Sequence, residues 1–561
     1  MAHLDFAEHL GVHSESDDHI NGPGDVSQQG HFQPPPADGE RDLAEQKRKE
    51  RERMEAAIRQ ELNNAHQNAP PAPPAPPVPQ GHPIIGELKG QSYRTEQSES
   101  RRESIKEMMR TAWSGYAKYA MGENELMPKA KHGHSASIFG RTKMGATVID
   151  ALDTLLIMGL NEEYADGRAW VADNLHFDVS ASVSVFEICI RFMGGLLTAY
   201  AMTNDEMYKE KAIDLGKRLV PAFNTQTGIP KATVNLQTGT SHNWGWASGG
   251  CSILSEFGTM QLEFEYLSII SGDPTYAHKV RKVMDYVTAK ERPSNGLYPN
   301  YLNPDTGRWG ANEVSIGALG DSFYEYLVKQ WVFEGGRNRR TSEGREAFDD
   351  AMKGVRNVLT QKSSSGLTYV AEAKGTRLVH KMGHLACFAS GMFSLGIEAA
   401  PSQEWADWYL DTAAGVANTC HEGYIRTPIH IGPEAMLFDG RHEASNSNPG
   451  ERYYILRPET IEAYFYMWRR THDQKYRDWA WDAAQSIEKY CRCGVGYCGI
   501  KDVQAAHPQQ DDVQQSFFLA ETLKYLYLIF EDDNVISLDE WVFNTEAHPV
   551  PIQKDRSSLA P

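Results

Sequence analysis

Seven carboxylates stand in this 561-residue sequence where the surrounding residues are apolar and helical in pattern. Asp153 interrupts IDALDTLLIMGL, Glu187 interrupts VFEICIRF, Glu263 interrupts MQLEFEYL and Asp321 opens DSFYEYL; Glu459 and Glu462 lie in RPETIEAYFYMW, and Glu521 lies in FFLAETLKYLYLIF. Burying an ionised carboxylate is costly unless it is paired, so the recurrence needs a cause. Glu187 and Arg191 are four residues apart and Glu459 and Glu462 three apart, and either spacing puts both groups on one helix face. Helix caps or buried ion pairs would account for any one of these acids. A set recurring on one class of helix points instead to a polar cavity. Such a cavity suits glycoside hydrolysis, in which one carboxyl protonates the leaving oxygen and another activates water or attacks. It equally suits a hard cation such as calcium, which takes oxygen ligands. No P-loop, no strand-borne G-x-G-x-x-G, no H-E-x-x-H and no G-x-S-x-G offers a competing chemistry.

The elements that must position these acids are helical hairpins. From about Ser104 the pattern is one of long amphipathic helices separated by short Gly, Pro, Asn and Asp breaks. A repeat recurs in AYAMTNDEMYKEKAIDLGKRL, LSIISGDPTYAHKVRKVMDYV and WRRTHDQKYRDWAWDAAQSI: a Thr/Ser-x-Asp turn followed three residues later by Tyr. The acids fall on the first helix of each pair, whereas partners such as YKEKAIDLGKRL carry charge as exposed helices do. Paired helices of this kind stack as an open solenoid or close into an α/α barrel. Closure is favoured, because only an inner ring brings the acids together near one end of an axis.

Composition bounds the rest. The net charge is −19, the apolar fraction 40% and the aromatic fraction 10%. The acidity argues against a nucleic-acid partner, which calls for a basic face. Residues 1–95 read as a stem with a charged helical stretch and the Pro-rich spacer APPAPPAPPVPQGHP, and residues 96–561 as the folded domain. No uninterrupted run of about 18 apolar residues and no basic-then-apolar leader is found, so neither an anchor nor a signal peptide is read here. Of the seven cysteines, three lie in CRCGVGYC, which lacks the C-x-x-C pair or following His of a zinc site.

Six blocks, FEICIRFMGGLLTAY, GDSFYEYLVKQW, MGHLACF, LRPETIEAYFY, FFLAETLKYLYLIF and FNTEAHP, occur in one order between about Ser104 and Pro551. That span resembles the class I α-1,2-mannosidases of glycoside hydrolase family 47. The resemblance implies an all-α fold, an (αα)7 barrel whose C-terminal β-hairpin, here VISLDEWVFNTEAHPVP, plugs one end. It implies one calcium ion held by Thr545 of the NTE motif through hydroxyl and carbonyl oxygens, with Glu434 and Glu546 organising its waters. An inverting reaction is implied, with Glu187 as general acid acting through a water, Glu459 as base and Asp321 as a third catalytic carboxylate and rival for the acid. Arg191, Glu263, His384, Arg457, Glu462, Phe517 and Glu521 match positions that hold the sugar. Cys387 and Cys420 match the family's disulfide, which implies an oxidising compartment; the pairing of Cys189, Cys251, Cys491, Cys493 and Cys498 is left open.

One position bears on specificity. Leu319 stands two residues before Asp321, where members of the endoplasmic-reticulum type carry an Arg that grips one glycan branch. Leu implies the Golgi type, which trims high-mannose N-glycans on glycoproteins to the five-mannose form in the Golgi lumen of the secretory pathway. A membrane anchor is expected from the family and is not read in this sequence, and the oligomeric state is left open. The rival reading is a mannosidase-like factor that binds glycans of glycoproteins destined for degradation. Retention of Glu187, Asp321, Glu459 and Thr545 weighs against it.

Overall fold

A computed structural model describes residues 81–293, 296–336 and 343–554; the charged stretch and most of the Pro-rich run of the stem lie outside them. Helix α1 (Glu96–Ala120) is followed by six helical pairs: α2 (Ala146–Ile157) with α3 (Asn161–Asn174), α4 (Val185–Thr203) with α5 (Glu206–Leu219), and α6 (Gln261–Ser271) with α7 (Thr275–Thr288). Then come α8 (Asp321–Phe333) with α9 (Glu343–Gly354), α10 (Ala389–Gly396) with α11 (Gln403–Ile425), and α12 (Glu459–Thr471) with α13 (Gln474–Cys491). The last, α14 (Leu523–Leu528), continues a π-helical turn, Phe518–Thr522, and packs against α1 as its partner. Even-numbered helices contact one another in order, and the ring closes where α2 meets the π turn before α14. Seven inner and seven outer helices therefore form the barrel expected above.

The repeated turn shows why the pairs form. At the ends of α4, α6 and α12 a residue in the left-handed region, Asn204, Gly272 or His472, stops the inner helix. The Thr or Ser hydroxyl accepts from the next Asp N–H, and the Asp carboxylate accepts from an N–H in the first turn of the outer helix: Asp205 from Met207 at 3.1 Å, Asp273 from Thr275 at 2.9 Å and Asp473 from Lys475 at 3.1 Å. The following tyrosines, Tyr208, Tyr276 and Tyr476, are buried between the two helices. Helix α4 is the one described helix long and apolar enough to cross a membrane, and 89% of its apolar window is buried inside the barrel.

The C-terminal hairpin pairs Trp541–Phe543 with Pro549–Pro551 in antiparallel register and is buried along both strands against α4 and α8. Its tip is a side-chain-built turn: Asn544 Oδ1 accepts from the N–H groups of Glu546 (2.9 Å) and His548 (2.8 Å). Its base lies at the end where the inner helices finish. There Trp541 Nε1 donates to Pro83 O (3.2 Å), and Gly81 N–H donates to Met202 O (3.1 Å). Residues 81–95, which composition groups with the stem, run along this end of the barrel: Tyr93 stacks on His472, and Asp532 accepts from Ser92 Oγ and Tyr93 N. Cys387 and Cys420 form a disulfide (S–S 2.06 Å) joining the turn before α10 to α11. A second bridge, Cys493–Cys498, closes the small hairpin after α13; Cys189, Cys251 and Cys491 are buried free thiols.

Candidate active site

The acids converge at the end of the barrel opposite the repeated turns. Glu187, Glu263, Asp321, Glu459 and Glu462 all occupy first turns of inner helical segments, where the N-terminal dipole favours negative charge. Glu521 sits in the π turn, a form enriched at functional sites. Each group's titration registers its neighbours: Asp321 feels Glu459, Glu462 feels Glu459, Glu521 feels Glu459, Glu462 and Glu546, and Glu546 feels Glu187. The hairpin tip thus joins the acids of the inner helices through Glu546.

Glu459 is the member built to be ionised. Burial alone would raise its pKa, but the hydrogen bond and charge of His384, then the Arg457 guanidinium, hold it below the usual range. His384 Nδ1 donates to Glu459 Oε2 at 2.7 Å, and His384 Nε2 is paired with Tyr424 OH at 2.7 Å. Arg457 is anchored in turn by two bonds to Glu434, Nε to Oε2 at 2.6 Å and Nη2 to Oε1 at 2.9 Å.

Asp321 is the opposite case. Burial, with the charges of Glu325 and Glu459 adding to it, pushes its carboxyl up to about 7 although Ser322 N–H donates to it. Glu462 and Glu521 are raised well above the ordinary range for the same first reason, burial, reinforced by neighbouring carboxylates. Tyr525 OH lies 3.5 Å from Glu462 Oε1.

Glu187 is held by Arg191, whose Nε and Nη2 both donate to Oε2 at 2.9 and 2.8 Å. The same guanidinium donates to Glu546, lies 3.6 Å from Asp150 and sits 5.6 Å from the centroid of the Phe517 ring. Burial pushes Glu546 up to about 8 against the pull of Arg191. Glu263 accepts from Tyr326 OH at 2.6 Å and Asn544 Nδ2 at 2.8 Å, and Tyr326 OH in turn accepts from the Thr545 N–H at 3.3 Å. The Glu263 carboxyl is pushed up to about 7 by burial, and its second oxygen is buried without a partner.

Three non-glycine residues beside these acids hold positive φ: Leu319 (76°), Leu456 (68°) and Ala547 (58°). Such backbone persists only where its surroundings enforce it, and it clusters at functional sites. Leu319 packs with Trp244, Cys251 and Tyr301 at the edge of the ring.

The family model for glycosyl hydrolase family 47 matches residues 108–552. The chain belongs to this family. Mannosyl-oligosaccharide 1,2-alpha-mannosidase IB of Homo sapiens is 55% identical over 452 residues, 81% of this chain and 70% of that protein. Mannosyl-oligosaccharide alpha-1,2-mannosidase IA of Drosophila melanogaster is 55% identical over 81% of this chain and 68% of its own length. The solved alpha-1,2-mannosidase from Trichoderma reesei superposes with a TM-score of 0.73 at 30% identity, covering 81% of this chain and 99% of that one. As a family 47 member the chain is a glycoside hydrolase.

Within this family 47 barrel Asp153, read with the cavity acids, takes a different place. Asp153 lies beneath the ring, fully buried, with Lys524 Nζ at 2.7 Å and His548 Nδ1 at 3.1 Å; it ties the plug to the wall. Glu434 commits both oxygens to Arg457. Other members of the site went unread. Lys329 pairs with Glu325 one turn along from it on α8, and Trp244 Nε1 donates at 2.8 Å to Glu256, whose carboxyl burial pushes up to about 8. Lys329 and Lys524 carried a usable signal, a cation inside an apolar helix, of the kind that marked the acids.

Proposed function

We propose that the chain is a calcium-dependent, inverting exo-α-1,2-mannosidase that trims high-mannose N-glycans on glycoproteins, toward the five-mannose form, in the Golgi lumen. The observation that supports it best is the opposed titration of two facing carboxyls. Glu459 is held ionised by His384 and Arg457, as a general base requires, while Asp321 keeps a proton to about neutral pH. Glu459 takes the proton of the attacking water. Asp321 is the carboxyl that holds a proton for the leaving oxygen, while Glu187 is locked to Arg191. Arg191 and the Phe517 ring offer a donor and an apolar face to a pyranose. The names of the relatives supply the linkage and the substrate class.

The residues present fit calcium. The cation the family resemblance implies would be held by Thr545 oxygens and by water. The unpartnered oxygen of Glu263 and the mutually repelling Glu521 and Glu546 provide acceptors for such waters. When bound, calcium would supply positive charge and oxygen coordination to sugar hydroxyls. Thr545→Val should abolish the calcium-induced rise in melting temperature; an undiminished rise removes Thr545 as ligand.

The test of the whole reading is hydrolysis of a purified high-mannose N-glycan with and without a chelator, following released mannose by proton NMR. Early β-mannose that disappears on chelation is expected. Release of α-mannose first overturns inversion. Glycan binding without release favours the glycan-binding factor instead.

A further inference from the structure

The turn that carries Arg457 and Glu459 is strained at its entrance and held by two side-chain hydroxyls, Thr522 on Leu456 O and Tyr454, whose OH donates to Arg457 O at 3.1 Å. Leu456 is fully buried with φ at 68°, a conformation that a branched L residue adopts only under constraint. Its carbonyl accepts a hydrogen bond from Thr522 Oγ1 at 2.7 Å. Thr522 is itself fully buried and ends the π-helical turn Phe518–Thr522, one residue beyond Glu521. Next to it Leu519 O accepts from Thr154 Oγ1 at 2.9 Å, which pins the same turn to α2. From Leu456 the chain runs through Arg457 and Pro458 into the first turn of α12, where Glu459 stands.

We infer that Thr522 is a positioning residue for Glu459: its hydroxyl holds Leu456 in the left-handed conformation and so aims Arg457 and Glu459 at the cavity. The inference rests on the reading of Glu459 as base. The geometry behind it is one bond at the hinge of a three-residue lever. Without a donor at this point Leu456 relaxes toward negative φ, and the Glu459 carboxylate turns away from His384. Misplacement of a catalytic group by about 1 Å costs on the order of 100-fold in rate. Lys524, which makes the matching contact to Ala547 O, is a poorer probe because its loss would also leave Asp153 buried without its cation.

Thr522→Val removes the donor and keeps the β-branched shape; Thr522→Ser keeps the donor. On high-mannose glycan, T522V should lose roughly 10- to 100-fold in kcat with KM and melting temperature close to those of the parent, and T522S should restore most of the kcat. Parental kcat in T522V, or an equal kcat loss in T522S, overturns the inference. If T522V does not fold, Thr522→Ala with the same serine comparison decides it. Glu459→Gln is run alongside. An inactive E459Q with an unimpaired T522V defeats the positioning role alone, whereas an active E459Q defeats the base assignment and the inference with it.

Discussion

His384 and Glu459 meet through Nδ1 and Oε2 at 2.7 Å, and this contact more than any other keeps Glu459 ionised in a buried site. Without the imidazole, burial dominates and the carboxylate pKa rises. His384→Ala should therefore move the acidic limb of the kcat/KM profile to higher pH, with roughly tenfold or greater loss of turnover at pH 5 and a smaller loss at pH 7. A profile of unchanged shape, lower at every pH, would assign His384 to sugar binding alone.

Asp321 gives a prediction about stability. Its folded-state carboxyl titrates at about 7 against an unfolded value near 3.8, so the folded chain binds the extra proton between these values. Folding stability from this group is fully present below the unfolded value and is lost as pH rises through about 7. Asp321→Asn should raise the melting temperature at pH 8 and leave it nearly unchanged at pH 4, while lowering kcat on the order of 100-fold or more. An equal gain at both pH values would show that Asp321 is not protonated in the fold.

Leu319 lies at positive φ in an apolar patch with Trp244 and Tyr301 at the edge of the acid ring. Arg at this point bears the same backbone strain and adds a long cationic side chain at the mouth. Leu319→Arg should narrow the products from high-mannose glycan toward one isomer without loss of fold, as mass spectrometry of the digest would show. The same ladder from both proteins would remove Leu319 as the determinant.

The two disulfides should differ in worth. The Cys387–Cys420 bridge spans 33 residues and the Cys493–Cys498 bridge spans 5. On the loop-entropy model the first contributes about 3–4 kcal/mol and the second about 2 kcal/mol. Denaturant unfolding of C420S and C498S should show that order, and the reverse order would refute the entropic account here.

How far these residues were legible in sequence depended on where their partners lie. Glu459 with Glu462, and Glu187 with Arg191, were readable because helical spacing alone puts them on one face. The Thr/Ser-x-Asp turns were readable because the bonds that make them span only a few residues. The Glu434–Arg457 clamp and the Asp153–Lys524–His548 knot were not: the first bridges 23 residues of the irregular connection between α11 and α12, and the second joins segments that meet only once the ring closes. Glu256 was missed because it lies in a four-residue helix with no periodicity to set it off. In CRCGVGYC three thiols allowed three pairings, and the Arg492–Cys493 with Gly496–Tyr497 hairpin selects one of them. The calcium ligand and the sugar-binding roles entered through family resemblance, since an N-T-E tripeptide by itself reads as a turn.

The plug has a consequence for how the protein matures. Asn544, Thr545, Glu546 and His548 reach Glu263 on α6, Tyr326 on α8, Arg191 on α4 and Asp153 on α2 from a hairpin that follows all fourteen helices in the chain, and α1 finds its helical partner in α14. During synthesis the early helices therefore emerge bearing Asp150, Asp153 and Glu187 with neither Lys524 nor His548 yet made. Asp153 gains its cation and the imidazole of His548 only when α14 and the final hairpin enter the barrel. Assembly of the site thus waits, by topology, for the hairpin, and a nascent chain stalled before it would be inactive.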